Sequence, residues 1–296
     1  ITIGLVFPTL HAALTDGQSP RQMKRAIAMF NYSWVSASFI GALAMGTIYK
    51  FNPNLPQIVA LVIIAGLLVM IFVPRAMEIA PWGRDVSFDH DNHVTPARRR
   101  LFIHLAMWGN LLMFLTLASF RGLLPEFVDV PGMSVQGWRF GLLSGAIFIG
   151  VVPTTALLMA WHRWHYSLRF LIGAEALGAI LLILMTFSLN YPLLVALATL
   201  FGFCIGMTYN SAFFYGMSNR DDRGAHGGDF EALNGLGVAL GPLLGGWAIT
   251  LSASLGPRLS SRAHLIVCAL LCLLVIAVQL VLVHRHRKIA RPNQLS

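Results

Sequence analysis

Two glutamates lie within long apolar stretches of this sequence. Glu175 is deep inside one stretch, and Glu231 stands near the start of another. An ionised carboxylate buried in an apolar region costs several kcal/mol unless it is paired or protonated. Both are therefore candidates for proton coupling or gating. The alternatives are a structural pair with a basic residue such as Arg169 for Glu175, and capping of the first helical turn or a salt bridge between loops for Glu231.

Uncharged polar side chains also interrupt the apolar stretches. Asn110 falls nine residues into one stretch, Trp108 lies two residues earlier, and Tyr209 and Asn210 occupy the second half of another. Amide and phenol groups at such depth can bind a solute or join two helices by hydrogen bonds. The sequence favours neither role over the other.

Glycine recurs at every fourth position from Gly237 through Gly241 to Gly245, with Pro242 and Gly246 beside them. This spacing places the three glycines on one face of a helix, where they allow a neighbouring helix to approach closely. We predict a helix-packing motif here, with direct substrate contact as the weaker alternative.

A cluster of four potential metal ligands occurs in a polar segment, at Asp89, His90, Asp91 and His93. Its spacing matches no established metal site, and we expect a solvated linker. The cluster is also the only support for a membrane enzyme. Because nucleophile elbows, phosphate-binding loops and dinucleotide fingerprints do not occur, we predict no catalytic activity, no metal and no cofactor.

The elements that position these residues are long apolar segments. Hydrophobic residues make up 56% of the 296 positions and charged residues 11%, far more apolar surface than one soluble core can bury. Eight of nine apolar segments approach or exceed the roughly 20 residues that a helix needs to cross a bilayer. We predict an all-α polytopic membrane protein in a lipid bilayer, with segments at 1–14, 29–49, 56–73, 101–120, 140–161, 169–188, 192–217, 229–251 and 264–284.

Basic residues indicate an orientation for these helices. If the C-terminus is cytoplasmic, sixteen of the 21 Lys and Arg residues fall in inside loops and five in outside loops. This distribution follows the positive-inside rule and favours a multi-pass protein of the cell membrane, inner or plasma. The net charge of +9 forms no continuous basic face, so nucleic acid is not an expected partner.

One long polar break, at 74–100, predicts a cytoplasmic linker between two helical bundles. Residues 1–73 supply three segments, the first of them partial, and residues 101–296 supply six segments and a basic tail. The halves also share a pattern at an offset of 200 residues, where Phe30 and Phe230 open helices that carry Gly41 and Gly241 and then Gly46 and Gly246. This parallel repeat is typical of transporters built from two related bundles.

The chain resembles the major facilitator superfamily. The resemblance rests on Phe230 to Gly237 and Gly241 to Gly246, which are similar to that family's eleventh helix, and on Phe30 to Trp34 and Phe7 to Leu10, which are similar to its fifth and fourth helices. It implies a two-bundle fold with a truncated N-terminal bundle, seen here as helices four to twelve. Proton-driven antiporters of the family usually carry Gly-Pro in the fifth helix, where this chain has Gly41-Ala42.

The resemblance also implies a function. It predicts transport of a small solute by alternating access, either secondary active or facilitated, with protons as a candidate coupling ion. Helices four, seven and ten would line the central cavity, which makes His11, Trp108, Asn110, Tyr209 and Asn210 the substrate-contact candidates. The alternative is a receptor or assembly protein with the same fold that transports nothing.

Overall fold

The protein was analysed in a computed structural model, which describes residues 20–52, 54–71, 94–129, 135–161, 163–217 and 223–290. All regular secondary structure in these ranges is helical, as the sequence predicts. The helices are α1 Pro20–Tyr49, α2 Leu55–Ile71, α3 Pro96–Gly122, α4 Leu124–Val128, α5 Trp138–Ala160, α6 Leu168–Phe187, α7 Tyr191–Met217, α8 Arg223–Leu251, α9 Pro257–Ser260 and α10 Ala263–Ala290, with a 3-10 turn at Ala253–Leu255.

Most helix boundaries fall within a few residues of the predicted segments. The first segment, 1–14, and most of the linker lie outside the described residues. The last five residues assigned to the linker belong to α3, because Thr95 caps that helix by accepting a hydrogen bond from the Arg98 amide at 3.3 Å.

Six of the helices are long and apolar enough to cross a membrane: α3, α5, α6, α7, α8 and α10. The predicted segments 29–49 and 56–73 lie in α1 and α2, which are not among the six. Helix α2 has 17 residues, about 25 Å at helical rise, which is short of a bilayer core. Helix α1 has 30 residues, but Asn31 and several serines make it more polar.

Helix α7 is the centre of the assembly and packs against α3, α5, α6 and α8. Helix α10 completes the outer side by packing on α6, α3 and α8, while α1 lies along α5. Helices α3, α6 and α8 begin at the end of the bundle where α5, α7 and α10 finish. We call this the basic end, because Arg98 and Arg169 lie there, and we call the other the opposite end.

Glycine brings several of these helices into backbone contact. A Cβ atom added at Gly150 in α5 would overlap the Thr199 carbonyl oxygen of α7, and one added at Gly202 in α7 would overlap the Ile147 carbonyl oxygen of α5. At the opposite end, a Cβ at Gly46 of α1 would lie 2.7 Å from the Gly141 amide nitrogen. Larger residues at these positions would force the helices apart.

The two members of each repeated glycine pair have different surroundings. A Cβ added at Gly241 would overlap the backbone of α3, whereas one at Gly41 would meet nothing within 4 Å. For the second pair the order is reversed, since Gly46 is tightly packed and Gly246 has open space. The glycines that repeat in the sequence therefore do not make equivalent packing contacts in the structure.

A buried arginine fastens α6 to α10 at the opposite end. Arg262 is 1% exposed and donates from Nη1 to the carbonyl oxygens of Thr186, at 2.9 Å, and Ser188, at 2.7 Å. Its guanidinium also lies 4.8 Å from the ring centroid of Phe127. These carbonyls belong to the last turn of α6 and the residue that follows it, so Arg262 caps that helix.

Candidate functional site

A chain of buried amides connects α1 to α7. Asn31 donates from Nδ2 to Oδ1 of Asn210 at 2.8 Å, and both side chains are buried. Asn210 in turn donates from Nδ2 to the Thr155 hydroxyl of α5 at 3.1 Å and to the Gly206 carbonyl at 2.7 Å. Trp34 donates from Nε1 to the side-chain oxygen Oδ1 of Asn31 at 3.2 Å. Three helices are thus held together by one hydrogen-bond network.

Tyr209, beside Asn210, lies in an aromatic cluster. Its ring centroid is 5.6 Å from Trp34 of α1, 5.8 Å from Phe114 of α3 and 5.3 Å from Phe230 of α8. The Tyr209 side chain is 4% exposed, while Trp34 and Phe114 are half-buried. Four helices therefore converge on this tyrosine.

A second amide pair joins α3 to α8. Asn110 is fully buried in the middle of α3 and donates from Nδ2 to Oδ1 of Asn234, and its own side-chain oxygen Oδ1 has no protein partner. Glu231 lies one turn before Asn234 on α8, is half-buried, and shares a side-chain hydrogen bond with it. We call Asn31, Trp34, Asn110, Tyr209, Asn210, Glu231 and Asn234 the amide–aromatic cluster.

The position of Glu231 corrects one expectation from the sequence. Glu231 was expected in the first turn of its helix, where it would cap orphan backbone amides. Helix α8 instead begins at Arg223, eight residues earlier, so the amides near Glu231 already have helical partners. Capping of the first turn is therefore wrong for this residue.

The remaining substrate-contact candidates do not join this cluster. Trp108 is 52% exposed although Asn110, two residues later, is fully buried. Two residues correspond to about 200° around a helix, so the two side chains point to opposite sides of α3. His11 lies outside the described residues.

A small cavity opens beside the amide network at the basic end. Its volume is about 30 Å³, roughly the space of one water molecule, and both Thr155 and Asn210 line it. Ala28 of α1, Leu158 of α5 and Phe214 of α7 supply apolar walls. Asn210 therefore faces a space between α1 and the rest of the bundle.

Glu175 occupies a separate site between α6, α10 and α3. Gln279 of α10 donates from Nε2 to Glu175 Oε1 at 2.9 Å and to the Leu105 carbonyl oxygen of α3 at 3.0 Å. Glu175 is 0% exposed, and a Cβ atom at Gly109 of α3 would overlap its carboxylate. We call Glu175 and Gln279 the sealed pair. No basic side chain of the described chain bonds to either residue, so the expected pairing with Arg169 is not what the structure shows.

The glycine stripe of α8 faces α3. Cβ atoms added at Gly237 and Gly241 would meet the α3 backbone near Leu111 and Leu115, and one at Gly245 would meet side chains of Leu123 and Ser119. Pro242 lies next to Gly122 at the end of α3. Within the described part of the chain, no three His, Cys, Asp or Glu residues are grouped as a metal site would need. The segment that holds Asp89, His90, Asp91 and His93 is outside that part.

Sequence reasoning missed three partners of the residues that it singled out. Asn31 and Asn234 lie within the stretches that carry the family resemblance but were not singled out as polar contacts, and Gln279 was not noted. Each is an amide inside an otherwise apolar helix, and that signal could have identified all three.

The chain matches a known protein family over most of its length. A family model described as Major Facilitator Superfamily matches residues 1–225, and the chain belongs to that family. This confirms the resemblance and makes the protein a multi-pass integral membrane protein of a transporter family rather than an enzyme family. The match ends before the glycine stripe on which much of the resemblance rests.

The chain is also similar to particular transporters. Two relatives, from two strains of Staphylococcus epidermidis, are each described as "Proton-coupled antiporter flippase LtaA". Each is 21% identical over 255 residues, which cover 83% of this chain and 62% of the relative. The chain thus spans less than two thirds of the length of these relatives. No solved structure matches the chain.

Proposed function

We propose that the protein carries out secondary transport of a small solute by alternating access, with the amide–aromatic cluster as part of the solute path. The observation that supports this most directly is the hydrogen bond between Asn31 and Asn210. In the chain, Asn31 lies before the predicted linker and Asn210 lies after it. Alternating access requires contacts between the two halves that form in one state and break in another.

The chemistry of the cluster fits this role. Neutral amides can exchange hydrogen bonds with each other for hydrogen bonds with a solute, without leaving an unpaired charge in the membrane. The small cavity beside Asn210 marks a place where this amide borders empty space between the helices. The aromatic rings of Trp34 and Phe114 add apolar surface next to these polar groups.

We further propose protons as the coupling ion, with Glu231 as the carrier. The S. epidermidis relatives are named proton-coupled antiporters, which supports the ion. Glu231 supports the site, because it is half-buried, belongs to the cluster and is hydrogen-bonded to Asn234. Glu175 is enclosed by three helices away from the cluster, so a structural role suits it better. The charge distribution supports a cytoplasmic basic end and C-terminus.

The test uses the full-length protein in proteoliposomes. Flux of a broad solute panel is measured with and without an imposed pH gradient, for the wild type, Glu231→Gln and Glu175→Gln. We expect gradient-driven flux in the wild type, its loss in Glu231→Gln and its retention in Glu175→Gln, which is the matched control for replacing a buried carboxylate.

Other outcomes each have a definite meaning. Flux that is independent of the gradient in all three proteins would leave facilitated transport and remove the proton. Loss of gradient-driven flux in Glu175→Gln alone would move the carrier to the sealed pair. Absence of flux for every solute would reject transport in favour of a receptor or assembly protein.

A further inference from the structure

Arg121 is a charged residue that lies outside the amide–aromatic cluster and the sealed pair. It lies in the last turn of α3, and its side chain reaches across to α5. Its Nε donates to the Ser144 hydroxyl at 3.4 Å, and its guanidinium carbon lies 5.0 Å from the Phe148 ring centroid. Helices α3 and α5 each pack extensively on α7. The arginine side chain therefore connects the last turn of α3 to α5.

The direction of this side chain is unusual for an arginine at a helix end. Such residues commonly extend outward so that the charge stays in water. Ser144 and Phe148 are seven and eleven residues into α5, roughly 9 to 15 Å from its start at helical rise. The guanidinium is thus directed along α5, away from the helix ends and toward the middle of its length.

The Arg121 guanidinium has no negative partner in the described part of the chain. Its two contacts are with the neutral Ser144 hydroxyl and the Phe148 ring, and the side chain is exposed to the surroundings. A guanidinium has five N–H donors in a fixed fork that matches a carboxylate or phosphate group. A carboxylate or phosphate ligand would supply the negative partner that this guanidinium lacks.

Aromatic surface continues from Arg121 to the amide–aromatic cluster. Phe148 lies 5.9 Å from Trp34, and Trp34 and Phe114 both contact Tyr209. Trp34 and Phe114 are half-buried, whereas Phe148 is 2% exposed. A cation at one end of a row of aromatic rings matches a molecule with an anionic group and an apolar body.

From this geometry we infer that Arg121 binds the anionic group of an amphipathic solute, whose apolar part lies against Trp34 and Phe114. This inference rests on the proposed transport function and specifies its substrate class, a carboxylate or phosphate attached to an apolar group. Arg121 would act as a specificity-determining residue rather than as a proton carrier.

The experiment compares matched probes on the full-length protein in detergent-free nanodiscs. Binding of decanoate, decyl phosphate and the neutral decanamide is measured by calorimetry for the wild type, Arg121→Gln, Arg121→Lys and Arg139→Gln. Arg139 is the control, since it lies on α5 near the same end and is also 5.0 Å from an aromatic ring, that of Tyr191.

We expect Arg121→Gln to weaken binding of both anions about tenfold or more, because a hydrogen bond between two charged groups is lost, and to leave decanamide unchanged. Arg121→Lys keeps the charge without the fork and should retain part of the affinity for the anions. Arg139→Gln should bind all three probes as the wild type does.

The inference is overturned if Arg121→Gln binds the anions as tightly as the wild type, or if it loses decanamide to the same extent. Either result can coexist with solute flux in proteoliposomes, so the transport function would stand. An absence of flux in the wild type would reject transport itself, whatever Arg121 binds.

Discussion

The amide–aromatic cluster and the sealed pair are both buried polar sites in apolar helices, yet they differ in the helices that they join. The cluster connects α1, which precedes the predicted linker, to α3, α7 and α8, which follow it. The sealed pair connects α6, α10 and α3, all of which follow the linker. The two sites thus differ in whether their hydrogen bonds and ring contacts reach α1.

The largest effect on stability should come from breaking the sealed pair. In Glu175→Leu the Gln279 amide loses its side-chain acceptor in a fully buried setting, which we expect to lower the free energy of unfolding by about 1–3 kcal/mol. Unfolding in mixed micelles, followed by circular dichroism, measures this loss.

Glu175→Gln is the matched variant for the same site. It keeps the shape and an oxygen acceptor for Gln279, so its loss of stability should be well below that of Glu175→Leu. Equal losses in the two variants would show that the carboxylate itself, rather than its hydrogen bond, stabilises the three helices.

An intermediate effect is expected at Asn210. Asn210→Leu removes the bonds to Asn31 and Thr155, and interhelical hydrogen bonds in membranes are worth on average about 0.6 kcal/mol each. We expect a loss of about 1 kcal/mol in stability together with a severalfold fall in solute flux. Unchanged flux at reduced stability would place Asn210 with the sealed pair as a purely structural residue.

The smallest effect is expected at Trp108, although the family resemblance makes it a substrate-contact candidate. Trp108→Leu changes a side chain that is 52% exposed on the side of α3 opposite Asn110. Stability should stay within about 0.5 kcal/mol of the wild type, as for other exposed substitutions, and flux should be unchanged. A clear loss of flux would show that the solute path includes this face of α3.

The sequence predicts where the helices lie along the chain, but it does not predict which side chains meet between helices. Apolar length places the starts of α6 and α7 within one residue, because the bilayer sets a minimum run of apolar side chains. The start of α8 was placed late because Gly224 to Gly228 favour a loop by intrinsic propensity, yet most of this stretch is helical in the structure.

Pairings across helices depend on rotation and tilt, which apolar runs do not encode. Asn31 and Asn210 meet although 179 residues separate them, and nothing in either local sequence identifies the other as its partner. Arg121 illustrates the same point. It is one of the five basic residues that the charge pattern assigns to outside loops, whereas in the structure its side chain is directed toward α5. The separation of Trp108 from Asn110, in contrast, follows from helical periodicity alone.

The Arg262 cap has a consequence for the order of events during biosynthesis. Its two carbonyl partners precede it by 76 and 74 residues, so α6 leaves the ribosome well before the residue that caps it. Until residue 262 has been synthesised, the carbonyl oxygens of Thr186 and Ser188 cannot accept hydrogen bonds from Arg262. In a nascent chain stalled before residue 262, we expect α6 to pack less tightly against the other helices. Synthesis of α10 should then complete the packing of the bundle.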